Sequence, residues 1–230
     1  MPAPKIIHLI FFPWDRDQRL LPDPSAFDRA PYERVRQCAP DFEVRLWTYD
    51  RARGFASEHY PEIWAALQSV PRPMMIVDVL RWLVVHHHGG IYWQYGSTSR
   101  VPMTEFLPSP GKAVKLFTEV VITPEFARQM AFEPIRRGEP EERVRIRNQV
   151  FSAAPRSDFV ASVLDLQLMR LKSHPVCRDY DVLFVTGPAL CSTVYDRCGP
   201  TDPRVELVPL DQSERMFKVH STGSWRTDPA

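Results

Sequence analysis

The sequence predicts an α/β fold in which helices flank a mostly parallel central sheet. Three observations indicate it: a short apolar run opens the chain, helical periodicity alternates with strand-like segments, and a Gly-Gly pair joins a long apolar helix to the next strand. Parallel strands need crossover connections of this kind. With 230 residues, 44% of them hydrophobic, the chain can bury one substantial core. We therefore expect a single domain over residues 1–226 and a disordered tail at 227–230.

The first half of the chain alternates strand and helix. Residues 5–12 form an apolar and aromatic run closed by Pro13, which is typical of a strand buried on both faces. The segments that follow are predicted as a helix over 25–39, a strand over 42–47, helices over about 55–68 and 73–88, and a strand over 90–93. A strand that follows a helix this closely indicates a crossover into a sheet.

The second half continues the alternation. The predicted elements are an apolar stretch at 113–123, a strand at 150–154, helices at about 157–172 and 186–197, and short strands near 204–208 and 216–220. Residues 133–147 mix both charge signs and contain Gly138 and Pro140, which is typical of a solvated loop or an exposed helix. Acceptor binding by this segment is an alternative interpretation.

The charge balance excludes some classes of partner. Lysine and arginine (29) nearly balance aspartate and glutamate (28), so no global field attracts nucleic acid or an anionic membrane. After Lys5 there is neither a cleavage pattern of small residues nor a stretch near the roughly 20 apolar residues of a spanning helix. We expect a cytoplasmic protein with no nucleic-acid partner and no membrane span, and peripheral membrane association stays open.

The segment from Asp78 to Tyr92 is the most informative for chemistry. Asp78 and Arg81 lie three residues apart on the predicted helix 73–88, so both project from one face. An arginine can form paired hydrogen bonds with phosphate oxygens, and a carboxylate can accept hydrogen bonds from sugar or ribose hydroxyls. By spacing alone, an ordinary i, i+3 surface ion pair is the simpler interpretation.

Five short motifs are spread in order over residues 4–225. They are Pro4-Lys5-Ile6-Ile7-His8 with Phe11, then Arg45-Leu46-Trp47, then Asp78-x-x-Arg81 followed by Gly89-Gly90-Ile91-Tyr92, then Thr186-Gly187-Pro188, and finally His220 with Gly223-Ser224-Trp225. In order and spacing they resemble the DXD-type sugar-binding-region glycosyltransferase family. That family includes fungal initiating mannosyltransferases, bacterial capsular and lipopolysaccharide sugar transferases and, more distantly, the glucosyltransferase domain of clostridial toxins.

The resemblance implies both a fold and a reaction. The fold is GT-A-like, that of a nucleotide-diphospho-sugar transferase, with the donor bound where the parallel strands end. The implied reaction moves a sugar from a nucleoside-diphosphate sugar to a hydroxyl of a glycan, a capsular or lipopolysaccharide chain or another acceptor, with retention of the anomeric configuration. No carboxylate stands out as a general base, which is compatible with retention because the departing phosphate can take the acceptor proton.

The sequence departs from the family at the two metal-binding carboxylates. Where the family reads G-G-I-Y-x-D-x-D, this chain has Gln94 and Gly96. The two aspartates normally hold a divalent cation, Mn²⁺ or Mg²⁺, that neutralises the donor diphosphate. Three interpretations stay open: a metal-independent transferase that uses Arg and Lys charge, a transferase whose metal is held by other groups, and an inactive sugar-nucleotide-binding pseudoenzyme. An interaction module on the same fold is a weaker alternative.

The resemblance also implies roles for residues in the central motif. Asp78 and Arg81 are the candidate catalytic residues, with Asp78 on the ribose or sugar hydroxyls and Arg81 on the diphosphate or the sugar. The expected floor of the nucleotide-sugar pocket consists of Tyr92, Gln94, Tyr95 and Gly96.

Further donor contacts are expected from the C-terminal half. Ser224 and Trp225 form the expected lid over the leaving group, and His220 and Arg226 are expected to cover the diphosphate if that segment folds over the pocket. Asn148 precedes a segment similar to the family's Asn-containing strand, where a short amide can bond donor or acceptor hydroxyls. The alternative for Asn148 is a polar residue that starts a strand.

Aromatic residues near the first strand ends are also candidates. Phe11, at the family's Trp position, or Trp14 just beyond it, is expected to stack on the nucleotide base, with core packing as the alternative. Trp93 and Tyr95 are expected on opposite sides of the strand end, one toward the sugar and the other toward the core. The run His86–His88 is not expected to chelate one metal, because consecutive helical residues point about 100° apart.

Overall fold

The structure, a computed structural model, describes residues 2–15, 17, 19–20, 28–123, 143–176 and 178–220. Its elements, in chain order, are β1 Ile6–Ile10, α1 Ala30–Cys38, β2 Glu43–Trp47, α2 Tyr49–His59, α3 Pro61–Leu67, α4 Pro73–His88, β3 Gly90–Trp93, β4 Thr98–Ser99, a 3-10 helix Met103–Phe106, β5 Val114–Ile122, β6 Arg143–Ile146, β7 Val150–Ala153, α5 Asp158–Ser173, α6 Asp179–Val185, α7 Pro188–Cys198, β8 Val205–Val208, α8 Leu210–Met216 and β9 Phe217–Lys218. The predicted α/β class is confirmed.

Seven strands within these ranges form the central sheet, in the order β2-β1-β3-β7-β5-β6, and β8 pairs with the first half of β5. Strands β1, β2, β3, β5 and β8 run in one direction, whereas β6 and β7 run antiparallel to them. The mostly parallel sheet predicted from the sequence is therefore confirmed. A separate two-stranded antiparallel sheet joins β4 to β9, with Ser99 opposite Phe217.

Helix α4 is the central helix on one face of the sheet. Twelve of its sixteen residues are buried, including Asp78 and Arg81, as expected of a helix enclosed by other elements. The Trp82 ring stacks on Phe151 of β7, with 3.7 Å between ring centroids. A second apolar cluster, which contains Trp93, covers the opposite face. None of the helices within the described ranges has the length and apolar composition of a membrane span.

The buried His8 side chain connects the first three strands. Trp47 Nε1 of β2 donates to His8 Nδ1 at 3.1 Å. Because an indole N–H can only donate, Nδ1 carries no proton, and His8 Nε2 donates to the Gly89 carbonyl at 2.9 Å. Burial lowers the pKa of His8 to about 3. A neutral histidine therefore joins β1 and β2 to the residue that precedes β3.

Some predicted helix and strand bounds are wrong. The single helix predicted over 55–68 is two helices, α2 and α3, because Pro61 lacks a backbone N–H and begins the second helix after Tyr60. The strand predicted near 216–220 is confirmed only for Phe217–Lys218. Helices α6 and α8 have seven residues each and are not predicted, because two turns are too short to show a periodic pattern.

The segment 133–147 also differs from its prediction as a loop or an exposed helix. Residues 143–146 form β6, which pairs antiparallel with the second half of β5. Its apolar residues, Val144 and Ile146, alternate with arginines and pack into the core beneath α4. Residues 133–142 lie outside the described ranges.

Gly89 and Gly90 form a tight passage from α4 into β3. Their φ angles are +69° and +95°, values that residues with a Cβ rarely adopt. The space is also crowded, since a Cβ on Gly90 would lie 2.5 Å from the Ile6 carbonyl oxygen. The two glycines therefore let β3 pair with β1 directly after the helix ends.

Gly90→Ala is expected to destabilise the protein by about 2–4 kcal/mol, because a disfavoured φ adds to a clash with the β1 backbone. The melting temperature then falls by roughly 5–15 °C. Gly54→Ala is the control, since Gly54 is exposed in α2 with no atom within 4 Å of an added Cβ. It is expected to stabilise by about 0.5–1 kcal/mol. Thermal unfolding measures both variants, and an unchanged melting temperature for Gly90→Ala would contradict the passage described.

Candidate functional site

The carboxyl ends of β1 and β3 lie side by side at one edge of the sheet. The two strands are parallel neighbours, with His8 opposite Tyr92. The segments that follow them therefore leave the sheet at the same edge, and the rings of Phe11 and Tyr95 lie 5.0 Å apart. Because β7 runs antiparallel to β3, the residues that precede β7 also lie here. Open α/β sheets bind their ligands at this edge.

A buried polar cluster, here called the Asp78 network, lies beside this edge. It consists of Asp78, Arg81, Asn148, Gln167 and Thr186. Asp78 Oδ1 accepts hydrogen bonds from Arg81 Nη2 at 2.9 Å and from Asn148 Nδ2 at 3.0 Å. The Thr186 hydroxyl donates to Asp78 Oδ2 at 3.1 Å, and Gln167 Nε2 donates to the Thr186 carbonyl at 3.0 Å. Three of the candidate site residues, Asp78, Arg81 and Asn148, are thus in direct contact.

Arg81 uses most of its N–H groups within the protein. Nη1 donates to the Asn148 carbonyl at 2.7 Å, Nη2 bonds to Asp78, and Nε lies 3.4 Å from the Val77 carbonyl oxygen. The guanidinium covers the ring of Tyr92 at 4.9 Å. Arg81 and Asp78 are each only 4% exposed. The surface ion pair that the spacing alone allowed is therefore a buried one.

Burial is the largest influence on the pKa of Asp78. It raises the pKa of the carboxyl group, although Arg81, Thr186 and Asn148 all favour the charged form. The network also keeps unused acceptor capacity. Within the described ranges Asp78 Oδ2 accepts a hydrogen bond from one side chain and Asn148 Oδ1 from none, whereas a carboxylate offers about four lone-pair sites. Acceptors held this way suit the hydroxyl groups of a polar ligand.

The predicted floor residues fall into two groups. Tyr92 is 1% exposed, with its ring between Arg81 and Phe151, so it supports Arg81 from the core side. Gln94 and Gly96 belong to a half-buried turn in which Ser97 N–H donates to the Gln94 carbonyl at 3.0 Å. Gly96 has a φ of +87°, and no atom of the described residues lies within 4 Å of a Cβ added to it. The described part of the chain therefore leaves space beside the turn.

The aromatic candidates have different surroundings. Phe11 packs on Tyr95 at the edge, whereas Trp14 packs against the core beneath α4. The Tyr95 hydroxyl donates to the Asp28 carbonyl, and burial raises the pKa of Tyr95 to about 12. Base stacking by Phe11 or Trp14 stays a prediction.

The prediction that Trp93 and Tyr95 lie on opposite sides of the strand end is wrong. Both side chains pack into the apolar cluster on the face away from α4. Even in a continuous strand, residues two apart point to the same face, and here β3 ends at Trp93, so that Tyr95 lies in the turn that follows.

His220 is the C-terminal candidate that the structure describes. Its Nε2 lies 3.3 Å from the hydroxyl oxygen of Thr98 in β4, so the chain returns to a point just beyond Gly96. Ser224, Trp225 and Arg226 lie outside the described ranges.

The residues at the turn do not fit a hard divalent cation. Gln94 offers an amide in place of one expected carboxylate, and Gly96 offers no side chain in place of the other. Across the described ranges, no group of three or more His, Cys, Asp or Glu side chains is arranged to hold a metal ion. Such cations need several oxygen ligands, usually including carboxylates. The donor set therefore disagrees with the metal site that the family resemblance implies.

Sequence reasoning missed two contacts of the Asp78 network. Gln167 is fully buried on α5, and its signal in the sequence is an amide between two leucines, Leu166 and Leu168. Thr186 stands out in the Thr-Gly-Pro motif, but its bond to Asp78 spans 108 residues of chain and has no local signal.

Comparisons with known proteins agree on a broad class. No protein-family model matches the sequence. Inositol phosphoceramide mannosyltransferase 2 of Schizosaccharomyces pombe is 36% identical over 53 residues, which cover 23% of this chain and 15% of that protein. Mannosyl phosphorylinositol ceramide synthase CSH1 of Saccharomyces cerevisiae is 22% identical over 200 residues, 83% of this chain and 46% of that protein. The chain thus spans less than half the length of these curated relatives.

A solved structure is similar over more of its length. The glycosyltransferase PaToxG matches with a TM-score of 0.55 and 13% identity, covering 87% of this chain and 72% of that one. The chain therefore has a glycosyltransferase-like α/β fold and weak homology to fungal mannosyltransferases.

Arg81→Met is expected to destabilise the protein by about 3–5 kcal/mol, because it leaves the Asp78 carboxylate buried without a cation. Adding Asp78→Asn removes that charge, so the double variant is expected to be more stable than Arg81→Met alone. In Arg81→Met the folded protein disfavours the charged form of Asp78 more strongly, so the pKa of Asp78 in the folded state rises further above its unfolded value. The variant is therefore least stable above that folded pKa and regains stability as the pH falls through it. Urea unfolding at pH 7 and pH 5 measures the free energy of unfolding of wild type, of the two single variants and of the double variant. If the loss in the double variant equals the sum of the losses in the single variants, Asp78 and Arg81 do not stabilise each other, which would contradict a buried ion pair.

Proposed function

We propose that this protein is a glycosyltransferase that moves a sugar from a nucleoside-diphosphate sugar to a hydroxyl acceptor. The observation that carries the proposal is the Asp78 network beside the edge where β1 and β3 end. Weak homology to fungal mannosyltransferases and the fold shared with PaToxG support it. The cytoplasmic location expected from the sequence stays a prediction.

The unused acceptors of the Asp78 network are the proposed ligands of the donor sugar. Asp78 Oδ2 and Asn148 Oδ1 accept hydrogen bonds from sugar hydroxyls, and Arg81 holds both residues in place. Of the two ligands expected for Arg81, the sugar fits better than the diphosphate, because the guanidinium is enclosed by its own network. A site built to bond hydroxyls rejects analogues that lack them, since buried acceptors would be left unpaired.

The transfer step needs no carboxylate base. The acceptor oxygen forms a bond to the anomeric carbon while the bond from that carbon to the diphosphate breaks, with its electron pair passing to the phosphate oxygen. The acceptor proton passes to the departing diphosphate, on the same face of the sugar, which gives retention. The names of the fungal relatives describe mannosyl transfer to inositol phosphoceramide. From these names we extend only the type of donor, and we propose that this chain also uses a donor that carries a hexose. A glycan or lipid-linked acceptor at a membrane surface is compatible with it.

A pseudoenzyme that binds a sugar nucleotide without turnover is the second candidate. The substitution of both metal-binding carboxylates, at Gln94 and Gly96, favours it. The sugar end of the site does not separate the two candidates, because binding and catalysis both use it.

A panel of UDP, GDP and CMP sugars tests the proposal by thermal shift and by release of nucleoside diphosphate, with and without EDTA. One sugar nucleotide at 100 times its Kd is expected to stabilise by about 2.7 kcal/mol, or roughly 5–10 °C in melting temperature. Asp78→Asn, which keeps the shape of the side chain, is expected to reduce release at least tenfold. Asp50→Asn, at an exposed carboxylate on α2, is the matched control and is expected to change nothing.

The outcomes separate the candidates. Turnover that survives EDTA supports a metal-independent transferase, and turnover only with added metal supports a metal held by other groups. Binding without turnover under both conditions supports the pseudoenzyme. No shift with any sugar nucleotide would overturn both proposals and favour an interaction module.

A further inference from the structure

Arg147 lies next to the turn that lacks the metal-binding carboxylates. Gln94 N–H donates to the Gln149 carbonyl at 2.9 Å, which continues the antiparallel β3–β7 register one pair beyond Trp93 and Val150. The chain then turns at 94–97, and Arg147 lies two residues before Gln149 on the segment that pairs with the start of this turn. Arg147 is therefore a cation on the segment that faces the turn.

The Arg147 side chain is held on the side of the sheet where the turn continues. Its backbone N–H donates to the Phe117 carbonyl at 2.8 Å, and its Nε donates to the Thr118 carbonyl at 3.2 Å. The guanidinium lies 5.5 Å from the centroid of the Phe217 ring. Phe217 pairs with Ser99 in the small β4–β9 sheet, directly after the turn. These contacts keep the guanidinium beside the turn.

The terminal nitrogens of Arg147 have no acceptor in the described part of the chain. No carboxylate there lies within ion-pair distance of Arg147, although its side chain is half-buried. The neighbouring arginines differ, since Arg143 pairs with Asp196 at 3.2 Å and Arg145 with Glu119 at 2.7 Å. Burial lowers the pKa of Arg147, although Glu119 and Glu214 lie near enough to favour its charged form. Neither forms an ion pair with it within the described ranges, and a half-buried guanidinium of this kind suits an anionic ligand.

The space at the turn can admit such a ligand. Within the described ranges, a Cβ on Gly96 would have no atom within 4 Å, so no described side chain occupies the position where the family has an aspartate. His220 lies near the same turn through its contact with Thr98. A diphosphate here would lie between Arg147 and the turn.

We propose that Arg147 binds the diphosphate of the donor and stabilises its negative charge, at the place where the family holds a metal ion. This proposal rests on the proposed function. As the bond from the anomeric carbon to the diphosphate breaks, the electron pair stays on a phosphate oxygen, and Arg147 donates hydrogen bonds to the diphosphate. The guanidinium is charged without a metal and presents a planar fork that matches phosphate oxygens.

Calorimetric titration with UDP and with GDP in EDTA tests the proposal, with uridine and guanosine as ligands that lack the diphosphate. Wild type is expected to bind one nucleoside diphosphate in EDTA. Arg147→Gln is expected to weaken that binding at least tenfold and to leave the affinity for the nucleoside unchanged. Arg147→Lys keeps a positive charge but loses the planar guanidinium, so its affinity for the nucleoside diphosphate is expected to lie between those of wild type and Arg147→Gln. It replaces Arg147→Gln if the glutamine variant does not fold.

Arg143→Gln is the matched control, because it removes the same charge from a nearby arginine whose carboxylate partner, Asp196, does not act on Arg147. It is expected to change the affinity less than twofold. An equal loss in Arg143→Gln and Arg147→Gln would overturn the proposal, since general charge would then explain the binding. Binding that vanishes in EDTA and returns with manganese would overturn it while leaving the proposed function intact. No binding of either nucleoside diphosphate under any condition would overturn both.

Discussion

The buried carboxylate of Asp78 is the constraint around which one end of this fold is arranged. A charge in the interior costs several kcal/mol unless partners compensate it, roughly the magnitude of a whole domain's stability. The partners of Asp78 come from α4 itself through Arg81, from the segment before β7 through Asn148, and from the turn before α7 through Thr186. A shift of any of these elements would leave a charge or a donor unpaired. The network therefore keeps three distant parts of the chain in one geometry.

This rigidity fits a site that recognises hydroxyl groups. The acceptors are set before any ligand arrives. Asp78 projects from α4, and Asn148, in the short segment between β6 and β7, is held by its bonds to Asp78 and Arg81. A buried polar network with unused acceptor sites contributes less to folding stability than apolar side chains packed in the same space would. Its presence beside the carboxyl edge of a mostly parallel sheet is what connects the energetics of the fold to a binding function.

The two ends of the proposed site differ in how they compare with the family that the sequence resembles. The proposed sugar end has the expected Asp78, Arg81 and Asn148, whereas Gln94 and Gly96 stand where that family has its two carboxylates. Two carboxylates and one divalent ion sum to no net charge, so a metal-binding turn offers a diphosphate a cation only once the ion is bound. An arginine offers positive charge without a bound metal. In the proposed site, Arg147 is an electrostatic substitute for the ion that requires no new element in the fold.

The sequence predicted those features that depend on residues close together in the chain. The bounds 73–88 and 90–93 agree with α4 and β3, because a proline starts the helix and two glycines end it. The pairing of Asp78 with Arg81 follows from their spacing, but Asn148 and Thr186 are 70 and 108 residues away, and only family resemblance drew attention to them. Arg147 lies in a segment whose mixed charges indicate a loop, so no sequence pattern predicted that this segment would pair with the start of the turn at Gln94.

A crystal structure of the protein with the sugar nucleotide that stabilises it most is the decisive test of sugar binding by the Asp78 network. We expect sugar hydroxyl oxygens within about 3.2 Å of Asp78 Oδ2 or Asn148 Oδ1, with the sugar enclosed at the carboxyl edge of β1 and β3. A sugar bound at another edge of the sheet, with the Asp78 network unchanged and untouched, would contradict it.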